Sequence, residues 1–342
     1  MAKKIAVVLF NLGGPDGPED VQPFLRNLFR DPAIIGAPTP IREILAWFIS
    51  KTRAPSARKN YDLMGGGSPL LTESQKQADA LIVRLDAARP DDEFKAFIAM
   101  RYWHPFVEEA ANAVKSWGAD EIVLLPLYPQ FSTSTTGSSL TGWEEADGPP
   151  ARTICCYPTD APFISAHAHL IRETWKAAGS PESVRLLFSA HGLPERTVMQ
   201  GDPYQWQIEQ TSAAVADLLP EITDWQICYQ SRVGPLKWIG PSTEDAIEQA
   251  ALDGKAILLT PIAFVSEHIE TLVELDDEYG DLAKENGVEI YLRVPALGIH
   301  KEYIETLERL TLEALKGPNG LKPPCGKRVC PGSFKKCPNM AA

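Results

Sequence analysis

The chain has 342 residues, and 44% of them are hydrophobic and 23% charged, a composition typical of soluble globular proteins of about two domains. Its formal net charge of −12 disfavours a nucleic-acid-binding function, because surfaces that bind the phosphate backbone are basic. No apolar run reaches the roughly 18 residues that a membrane-spanning helix needs.

Apolar runs and amphipathic stretches alternate along the first half of the chain. The run Ile5–Phe10 is predicted to be a buried strand, and no small-residue cleavage site follows it, so we interpret the chain as cytoplasmic. The next predicted elements are helix Pro18–Leu28, helix Thr72–Ala88, strand Lys95–Met100, helix Phe106–Trp117 and strand Glu121–Leu127. Apolar strands separated by helices favour a parallel sheet covered on both faces.

The segment Ala33–Pro55 interrupts this alternation with a dense group of large apolar side chains between prolines. The first interpretation is an ordinary core helix. The alternative is an apolar lip that faces a hydrophobic ligand or a membrane surface. The group comprises Ile34, Ile35, Ile41, Ile44, Leu45, Trp47, Phe48 and Ile49.

The second half repeats the pattern of the first. Its predicted elements are strand Val184–Ser189, helix Pro203–Leu219, strand Trp225–Gln230, helix Thr243–Leu252 and strand Ala256–Pro261. The segment Val7–Pro15 also resembles Arg185–Pro194 in detail, which indicates two doubly wound α/β domains derived from one unit. Ligands of such sheets bind beyond the carboxyl ends of the strands, and the cleft between the domains is the expected place.

The stretch from Pro261 to Asp277 follows a predicted strand and is unusually acidic. With a helix beginning near Ser266 and about 100° of rotation per residue, its acidic residues fall on one face. Like charges at this spacing repel each other, so the stripe costs helix stability unless cations or protons offset it. Either the stripe is a solvated surface, or it belongs to a site for protons or metal ions. Its members are Glu267, Glu270, Glu274, Asp277 and Glu278.

Several polar and aromatic residues are predicted at the carboxyl ends of strands, where a ligand would bind. His191 lies at the carboxyl end of a buried strand and could act as a base or a metal ligand, although a lone histidine is more often structural. Arg101 and Tyr102 could contact an anionic group and an aromatic plane, or form a surface ion pair and a packed ring. Ser132 lies in a hydroxyl-rich loop that suits carboxylate binding or helix capping, and Trp238 suits a flat ligand or the core.

Three of the six cysteines lie close together in a proline-rich C-terminal tail, with the spacing Cys325-x4-Cys330-x6-Cys337. In a chain with no secretion signal, such a group favours metal ligation over disulfides. An all-cysteine site needs a fourth ligand, and Cys155 and Cys156 are the candidates. The spacing fits zinc as well as an iron–sulfur cluster.

In their order along the chain, these segments resemble ferrochelatase, the family of enzymes that insert ferrous iron into protoporphyrin IX to make haem. The resemblance implies two similar Rossmann-like domains, each a parallel sheet flanked by helices, over residues 1–160 (with the lip at 33–55) and 161–299, with the porphyrin between them. It also implies a helix over 300–316 that returns to the first domain, and a cysteine-rich tail over 317–342. It runs from about Ile5 to Leu315 and rests on Asn11–Pro15, Gly65–Pro69, Arg101-Tyr102, Tyr128–Gln130, Ser132–Ser139, Ser189–Pro194, Gln230–Pro235 and Pro261–Asp276.

The resemblance assigns roles to the candidate residues. The active-site histidine of the family corresponds to His191, which would accept pyrrole protons and contact the substrate iron. The catalytic acid corresponds to Glu270, which would also contact the iron, and Glu274 would extend the path for protons or metal. The porphyrin-pocket positions correspond to Leu12, Arg101, Tyr102 and Trp238, to which Ser132 is added from the hydroxyl-rich loop.

The resemblance also implies a [2Fe–2S] cluster as cofactor, with Cys156, Cys325, Cys330 and Cys337 as ligands and Cys155 as the alternative to Cys156. The expected partners are protoporphyrin IX and Fe²⁺. We expect a cytoplasmic monomer or homodimer, with peripheral contact at the inner membrane face as an option. Competing interpretations are a chelatase for another tetrapyrrole, such as a cobalt or coproporphyrin enzyme, a non-enzymatic haem- or porphyrin-binding protein, and a zinc-stabilised scaffold.

Overall fold

The computed structural model describes residues 2–232, 234, 236–322 and 327–339, and the chain divides into two compact units. The first unit combines Met1–Cys156 with Leu307–Lys327, and the second combines Tyr157–Thr306 with Arg328–Ala342. The first boundary lies close to the expected one after residue 160. The expected helix over 300–316 and the expected tail over 317–342 are each divided between the two units.

The first unit is built on a parallel sheet whose central strand is β1 (Lys4–Asn11). On either side of it lie β2 (Glu93–Met100) and β3 (Glu121–Pro126), and β4 (Arg152–Ile154) pairs with the outer side of β3. Residues Ile5–Phe10 are fully buried, as expected for a strand covered on both faces. The helices of this unit are α1 (Val21–Arg30), α2 (Thr39–Asp62), α3 (Leu70–Ala88), α4 (Val107–Trp117) and α5 (Ser138–Glu145), with a 3₁₀-helix over Pro18–Asp20 and a π-helix over Thr133–Gly137.

The second unit repeats this arrangement of strands. It contains β5 (Val184–His191), β6 (Trp225–Gln230), β7 (Ala256–Pro261) and β8 (Tyr291–Arg293), together with α6 (Ala161–Ala177), α7 (Glu195–Met199), α8 (Tyr204–Asp217), α9 (Thr243–Leu252) and α10 (Tyr279–Glu285). The strand order β6-β5-β7-β8 corresponds to β2-β1-β3-β4 of the first unit, and all pairs are parallel. The shared order confirms the α/β fold with two similar parallel sheets that the sequence predicts.

Two C-terminal elements complete the fold. Helix α11 (Lys301–Leu315) starts in the second unit, and its residues from Leu307 onward belong to the first. Strand β9 (Gly320–Lys322) then adds a fifth strand to the first sheet, parallel to β4. The sequence analysis did not predict β9, because three residues carry too little periodicity to indicate a strand.

Helix α2 exposes its large apolar side chains. Phe48 is 58% exposed and Ile44 is 68% exposed, whereas the buried residues of this helix include the small Ala46, Ser50 and Ala54. The small residues face the protein, so the bulky residues on the other side of the same helix are left in solvent. The interpretation of this segment as an ordinary core helix is therefore wrong, and the apolar-lip alternative agrees with the exposure. The exposed apolar face comprises Ile41, Ile44, Leu45, Trp47 and Phe48.

No helix in the described part of the chain combines the length and the apolar character that crossing a membrane requires.

Candidate active site

His191 lies at the carboxyl end of β5, at the edge of the sheet where ligands of such folds bind. Its register partner is Gln230, the last residue of β6, and β7 ends beside them at Pro261. Because parallel strands end at the same edge of a sheet, the residues that follow these three strands come together. The segment after β7 contributes Glu270 and Glu274 from a π-helix over Glu270–Glu278.

His191 and Glu270 form a hydrogen-bonded ion pair, with 2.9 Å between Nδ1 and Oε2. Partial burial lowers the pKa of His191, but the charge and hydrogen bond of Glu270, together with the charge of Glu274, outweigh this effect and leave the pKa above its ordinary value. Burial raises the pKa of Glu270, but the adjacent imidazolium outweighs it and holds the pKa well below the usual range. The structure thus joins the strand-end histidine to the acidic segment.

Glu274 is held by a dense set of hydrogen bonds. Its carboxylate accepts from the backbone N–H of Ser231 at 2.8 Å, from the Ser231 hydroxyl at 2.5 Å and from Gln230 Nε2 at 3.0 Å. Tyr279 donates its hydroxyl to the same carboxylate at 3.0 Å. Burial and the nearby charge of Glu270 raise the pKa of Glu274, which favours its protonated form. The two carboxylates therefore differ, since Glu270 is anionic and Glu274 is the better proton carrier.

Ser231 connects the two carboxylates, and the sequence analysis gave it no role. Its hydroxyl lies 2.5 Å from Glu274 and 3.4 Å from Glu270. Its φ of +60° is a left-handed conformation that is unfavourable for a residue other than glycine, and such strain is concentrated at functional sites. The result is a polar path that runs from His191 through Glu270, Ser231 and Glu274 to Tyr279. The sequence feature that could have indicated a role for Ser231 is its position directly after β6, the strand that neighbours β5.

The acidic helix differs from the predicted one in its start and its winding. It begins at Glu270 rather than near Ser266, and it has the wider i→i+5 hydrogen bonding of a π-helix. Thr271 Oγ1 accepts from the backbone N–H of His268 at 2.9 Å, so a side chain satisfies this donor just before the helix starts. The prediction of one continuous α-helical stripe is therefore wrong.

Arg293, at the end of β8, fixes the segment that carries the acidic residues. Its guanidinium donates to Glu267 at 2.6 Å and forms two bonds of 2.6 and 2.7 Å with the Asp276 carboxylate. Burial raises the pKa of Glu267, but Arg293 and the hydrogen bonds from Thr271 and the Ala296 N–H together outweigh it and lower the pKa below its ordinary value. Glu267 is thus an ion-pair partner that precedes the helix. The last two members of the predicted stripe, Asp277 and Glu278, are exposed.

In the first unit, Arg101 and Tyr102 are both anchored to Asp31. The Arg101 guanidinium lies 3.1 Å from the Asp31 carboxylate, and its Nε donates to the Ser138 hydroxyl at 2.6 Å. The Tyr102 hydroxyl donates to Asp31 at 2.9 Å, and this tyrosine is buried. The ion-pair and packed-ring alternatives account for these contacts, and a role of either residue in substrate binding stays a prediction.

The other three predicted binding residues occupy different surroundings. Leu12 is half-buried and packs against an aromatic cluster of the first unit. Ser132 is buried and caps the π-helix of that unit, as the capping alternative predicted. In the second unit, Trp238 is half-buried beside Gly192, where a Cβ would come within 3.2 Å of the indole ring. Because Gly192 follows His191 directly, the Trp238 ring lies next to the candidate base.

The described cysteines of the tail, Cys330 and Cys337, are buried and hydrogen-bonded to each other. This hydrogen bond is the main cause that lowers the pKa of Cys337 to about 6, so that its thiolate form is populated at neutral pH. Gln207 Nε2 donates to Cys330 Sγ at 3.0 Å. Cys325, the third predicted ligand of the tail, lies outside the described residues.

The candidates for the fourth cluster ligand, Cys155 and Cys156, are buried in the first unit. Their Sγ atoms lie 3.2 Å apart. Cys228 is buried in β6, and burial raises its pKa to about 12, so that it remains a neutral thiol. The cysteines of the chain therefore differ in how readily they could bind a metal.

Solved structures with a similar fold are chelatases. SirB from Bacillus subtilis with Fe³⁺ aligns with a TM-score of 0.51 at 14% identity, over 91% of this chain and 95% of that chain. The sirohydrochlorin chelatase SirB from Bacillus subtilis subspecies spizizenii, in complex with cobalt, aligns with a TM-score of 0.51 at 10% identity, over 92% and 97%. At these identities the similarity shows the α/β fold alone.

Sequence comparisons identify the family. The ferrochelatase family model matches residues 4–315. A ferrochelatase from Caulobacter vibrioides is 58% identical over 341 residues, which cover 99% of this chain and 98% of the relative. A ferrochelatase from Hyphomonas neptunium is 57% identical over 99% of this chain and 95% of the relative. A ferrochelatase from Rickettsia bellii is 46% identical over 98% of this chain and 95% of the relative. The chain therefore belongs to the ferrochelatase family of chelatase enzymes.

Proposed function

We propose that this enzyme inserts ferrous iron into protoporphyrin IX to form protohaem, with His191 as the proton acceptor. Glu270 and Glu274 provide the path along which protons leave or iron enters. The observation that supports this most is the polar path from His191 Nδ1 through Glu270 and Ser231 to Glu274. A histidine with a purely structural role would not need behind it two partly buried carboxylates whose pKa values are shifted in opposite directions.

Metallation replaces two pyrrole N–H protons by one Fe²⁺ ion, so the enzyme has to accept two protons for each iron. Because His191 Nδ1 is hydrogen-bonded to Glu270, the neutral ring presents Nε2 as its acceptor. When Nε2 takes a proton, the Glu270 carboxylate stabilises the resulting imidazolium by its charge. The ion pair therefore allows His191 to accept a proton without leaving an isolated charge in the site.

Glu274 and Ser231 give the protons a way out of the site. The Ser231 hydroxyl lies within reach of both carboxylates and can donate to one while it accepts from the other. The same groups suit the entry of metal, because imidazole and carboxylate oxygens bind Fe²⁺ but hold it less tightly than thiolates would. In this role His191 and Glu270 contact the substrate iron.

For the porphyrin we propose contacts with Leu12, Arg101, Tyr102, Ser132 and Trp238. Trp238 has the strongest support, because its half-buried indole lies beside Gly192 and can offer a flat face next to His191. The side chain of Arg101 is 19% exposed, and its guanidinium can pair with a carboxylate of the substrate. Tyr102 and Ser132 are buried, so a direct contact needs the side chains around them to move.

Two other functions share part of this site. A chelatase for another tetrapyrrole needs the same chemistry, but the exposed apolar face of α2 favours the less carboxylated protoporphyrin. A non-enzymatic haem- or porphyrin-binding protein needs no proton path behind the histidine.

An anaerobic metallation assay tests the proposed function. Fe²⁺ or Co²⁺ is mixed with protoporphyrin IX, coproporphyrin or sirohydrochlorin, and the loss of the metal-free fluorescence gives the rate. The highest kcat/KM is expected for Fe²⁺ with protoporphyrin IX. A clear preference for another tetrapyrrole contradicts the proposed substrate, and binding of porphyrin with no metallation by either ion contradicts the enzymatic function.

We also propose a [2Fe–2S] cluster whose ligands are Cys156, Cys325, Cys330 and Cys337, with Cys155 as the alternative to Cys156. The hydrogen-bonded thiols of Cys330 and Cys337 and the lowered pKa of Cys337 suit thiolate ligation. When bound, such a cluster supplies a one-electron redox couple. The same donors also suit zinc, which is colourless.

Replacing Cys337 by serine should remove the visible absorption of the purified protein, because the cluster loses a thiolate ligand. Cys228→Ser is the matched control, since Cys228 is a buried neutral thiol in β6, and it should keep the absorption. Absorption spectra and iron and sulfide analysis are the measurements. A colourless wild-type protein with bound zinc contradicts the cluster. The comparison of Cys155→Ser with Cys156→Ser identifies the fourth ligand as the one whose loss removes the absorption.

We also propose a cytoplasmic location, and the exposed apolar face of α2 supports a peripheral contact with the inner face of the membrane. Helix α2 also carries the exposed cations Lys51, Arg53 and Lys59, and a helix with apolar and basic residues can lie in the surface of an anionic bilayer.

The double variant Ile44→Glu/Phe48→Glu should sediment less with anionic lipid vesicles than the wild type does. Two charges would enter the apolar face that contacts the lipid. Leu252→Glu is the control, because Leu252 is a single apolar residue that is 82% exposed in the second unit, and it should behave like the wild type. Equal sedimentation of all three proteins contradicts the membrane contact.

Light scattering of the same samples distinguishes a monomer from a homodimer.

A further inference from the structure

His169, His300 and Glu302 form a cluster that the proposed reaction does not use. His169 lies on α6, His300 directly precedes α11, and Glu302 is in the first turn of α11. His169 Nδ1 is 2.7 Å from Glu302 Oε2, and His300 Nδ1 is 4.0 Å from the same oxygen. Within the described parts of the chain, this is the group of three such side chains whose donor atoms all lie within 4.8 Å of one another.

The carboxylate of this cluster is already oriented by a second contact. Ser165 donates its hydroxyl to Glu302 Oε1 at 3.1 Å, which leaves Oε2 directed at the two histidines. Ser165 and His169 are four residues apart on α6, so their side chains lie on the same face of the helix. A hydrogen bond to the oxygen that does not bind the ion is the usual support of a carboxylate ligand.

The main chain at His300 is fixed by hydrogen bonds on both sides. Its N–H donates to the carbonyl of Leu297 at 2.8 Å, and its own carbonyl accepts from Ile304 at 3.0 Å in the first turn of α11. The ring centroids of His169 and His300 are 6.1 Å apart. The two rings are thus presented by separate elements to one carboxylate.

His300 is the residue that an ordinary ion pair leaves unexplained. Its Nδ1 is buried and has no hydrogen-bond partner among the residues that the structure describes. Buried polar nitrogen atoms are normally satisfied, because an unsatisfied one loses its hydrogen bonds to water without replacement. The ion pair of His169 and Glu302 explains the positions of these two side chains but not that of His300. A bound cation explains the positions of all three.

We propose that His169, His300 and Glu302 bind a divalent first-row transition-metal ion, with Zn²⁺ and Fe²⁺ as the ions of matching chemistry. Two imidazoles and one carboxylate suit these ions, whereas Mg²⁺ and Ca²⁺ prefer oxygen ligands. Metal–ligand bonds of about 2.0–2.1 Å in a tetrahedron place donor atoms about 3.4 Å apart. The distances from Glu302 Oε2 to Nδ1 of His169 and of His300, 2.7 and 4.0 Å, lie on either side of that value. Small rotations of the two rings would therefore bring the donor atoms to the spacing that the ion needs.

The bound ion would join α6 to the start of α11 within the second unit. Three protein ligands leave a fourth position for water, because the cluster is partly open to solvent. The site uses neither His191 nor the cysteines, so its occupancy does not depend on the proposed chelatase reaction.

Equilibrium dialysis with Zn²⁺ tests the proposal on the full-length protein. His300→Ala and Glu302→Gln should each bind one equivalent less zinc than the wild type, and Glu302→Gln preserves the size of the side chain. His104→Ala is the matched control and should bind as much as the wild type. His104 forms a similar exposed pair with Glu109, at 2.9 Å, but belongs to no three-residue cluster within the described residues.

Parallel dialysis with anaerobic Fe²⁺ and with Mg²⁺ tests the class of ion. Fe²⁺ should show the same loss at lower affinity, and Mg²⁺ should show no difference between variants. Crystals of the wild type soaked in Zn²⁺ should give an anomalous peak between the three side chains, a measurement that needs no variant to fold. Unchanged zinc stoichiometry in both variants, or the absence of this peak, overturns the proposal.

Discussion

Replacing His191 by alanine should reduce iron insertion by about 10²–10⁴-fold while porphyrin still binds, because general-base catalysis contributes about that much. The variant retains Glu270, but in the wild type this carboxylate bonds Nδ1, on the other side of the ring from the acceptor Nε2, so it does not occupy the position of the missing acceptor. The porphyrin contacts that we propose lie on other residues, so the binding surface remains.

The measurement combines the anaerobic fluorescence assay with a separate titration of porphyrin binding under conditions without metal. His104→Ala is the control for the loss of an exposed imidazole, and it should keep both activities. Turnover of the His191→Ala protein at the wild-type rate would rule out His191 as the proton acceptor. Loss of porphyrin binding together with turnover would show a structural role instead.

The pH dependence tests the same role of His191 in an independent way. The group has to be neutral to accept a proton, so the rate should rise as the pH increases through the pKa of His191. Glu270 raises this pKa, and Glu270→Gln should therefore move the acidic limb of the kcat/KM profile to lower pH, in addition to lowering the maximum rate. If the acidic limb of the kcat/KM profile is unchanged in Glu270→Gln, a group other than His191 controls that limb.

Replacing Arg293 by alanine should destabilise the second unit by about 2–4 kcal/mol, since its removal leaves two partly buried carboxylates without their cation. Arg293 is 13% exposed as a side chain and pairs with both Glu267 and Asp276. Because these carboxylates lie before and within the π-helix, we also expect Glu270 and Glu274 to lose their fixed positions. The variant should therefore lose activity even at temperatures at which it remains folded.

Urea denaturation followed by tryptophan fluorescence measures the stability, and hydrogen exchange of residues 264–278 measures the local effect. Lys316→Ala is the control, because Lys316 forms an exposed ion pair with Glu313, and such pairs contribute about 0–1 kcal/mol. A change as small as that of Lys316→Ala contradicts the role of Arg293. If the variant has normal stability but faster hydrogen exchange in residues 264–278, Arg293 fixes the acidic segment without contributing to the global stability.

The elements that could be predicted from the sequence are those with a local pattern. Strands such as Ile5–Phe10 and Val184–Ser189 are continuous apolar runs, and such runs are typical of strands in a parallel sheet that is covered on both faces. His191 could be located because a strand end in a parallel sheet is a ligand position whatever the partners are.

The rest of the site depends on partners that are distant in the sequence. Ser231 acquires its role from Glu270 and Glu274, some forty residues away, and Arg293 from carboxylates on another element. The π-helix escaped prediction because a rotation of about 100° per residue assumes α-helical winding. For α2, apolar composition indicates which residues avoid water but not whether a partner surface within the chain covers them.

Strand β9 makes the C-terminal tail more than a carrier of cysteines. It covers the edge of β4, and the backbone N–H of Cys155 donates to the carbonyl of Lys322 at 3.4 Å. A protein shortened after α11 would therefore expose the hydrogen-bonding groups of β4, and exposed strand edges promote aggregation between molecules. Poor solubility of such a shortened protein would follow from this open edge, so cysteine-to-serine substitutions in the full-length chain are the sound way to remove the metal ligands.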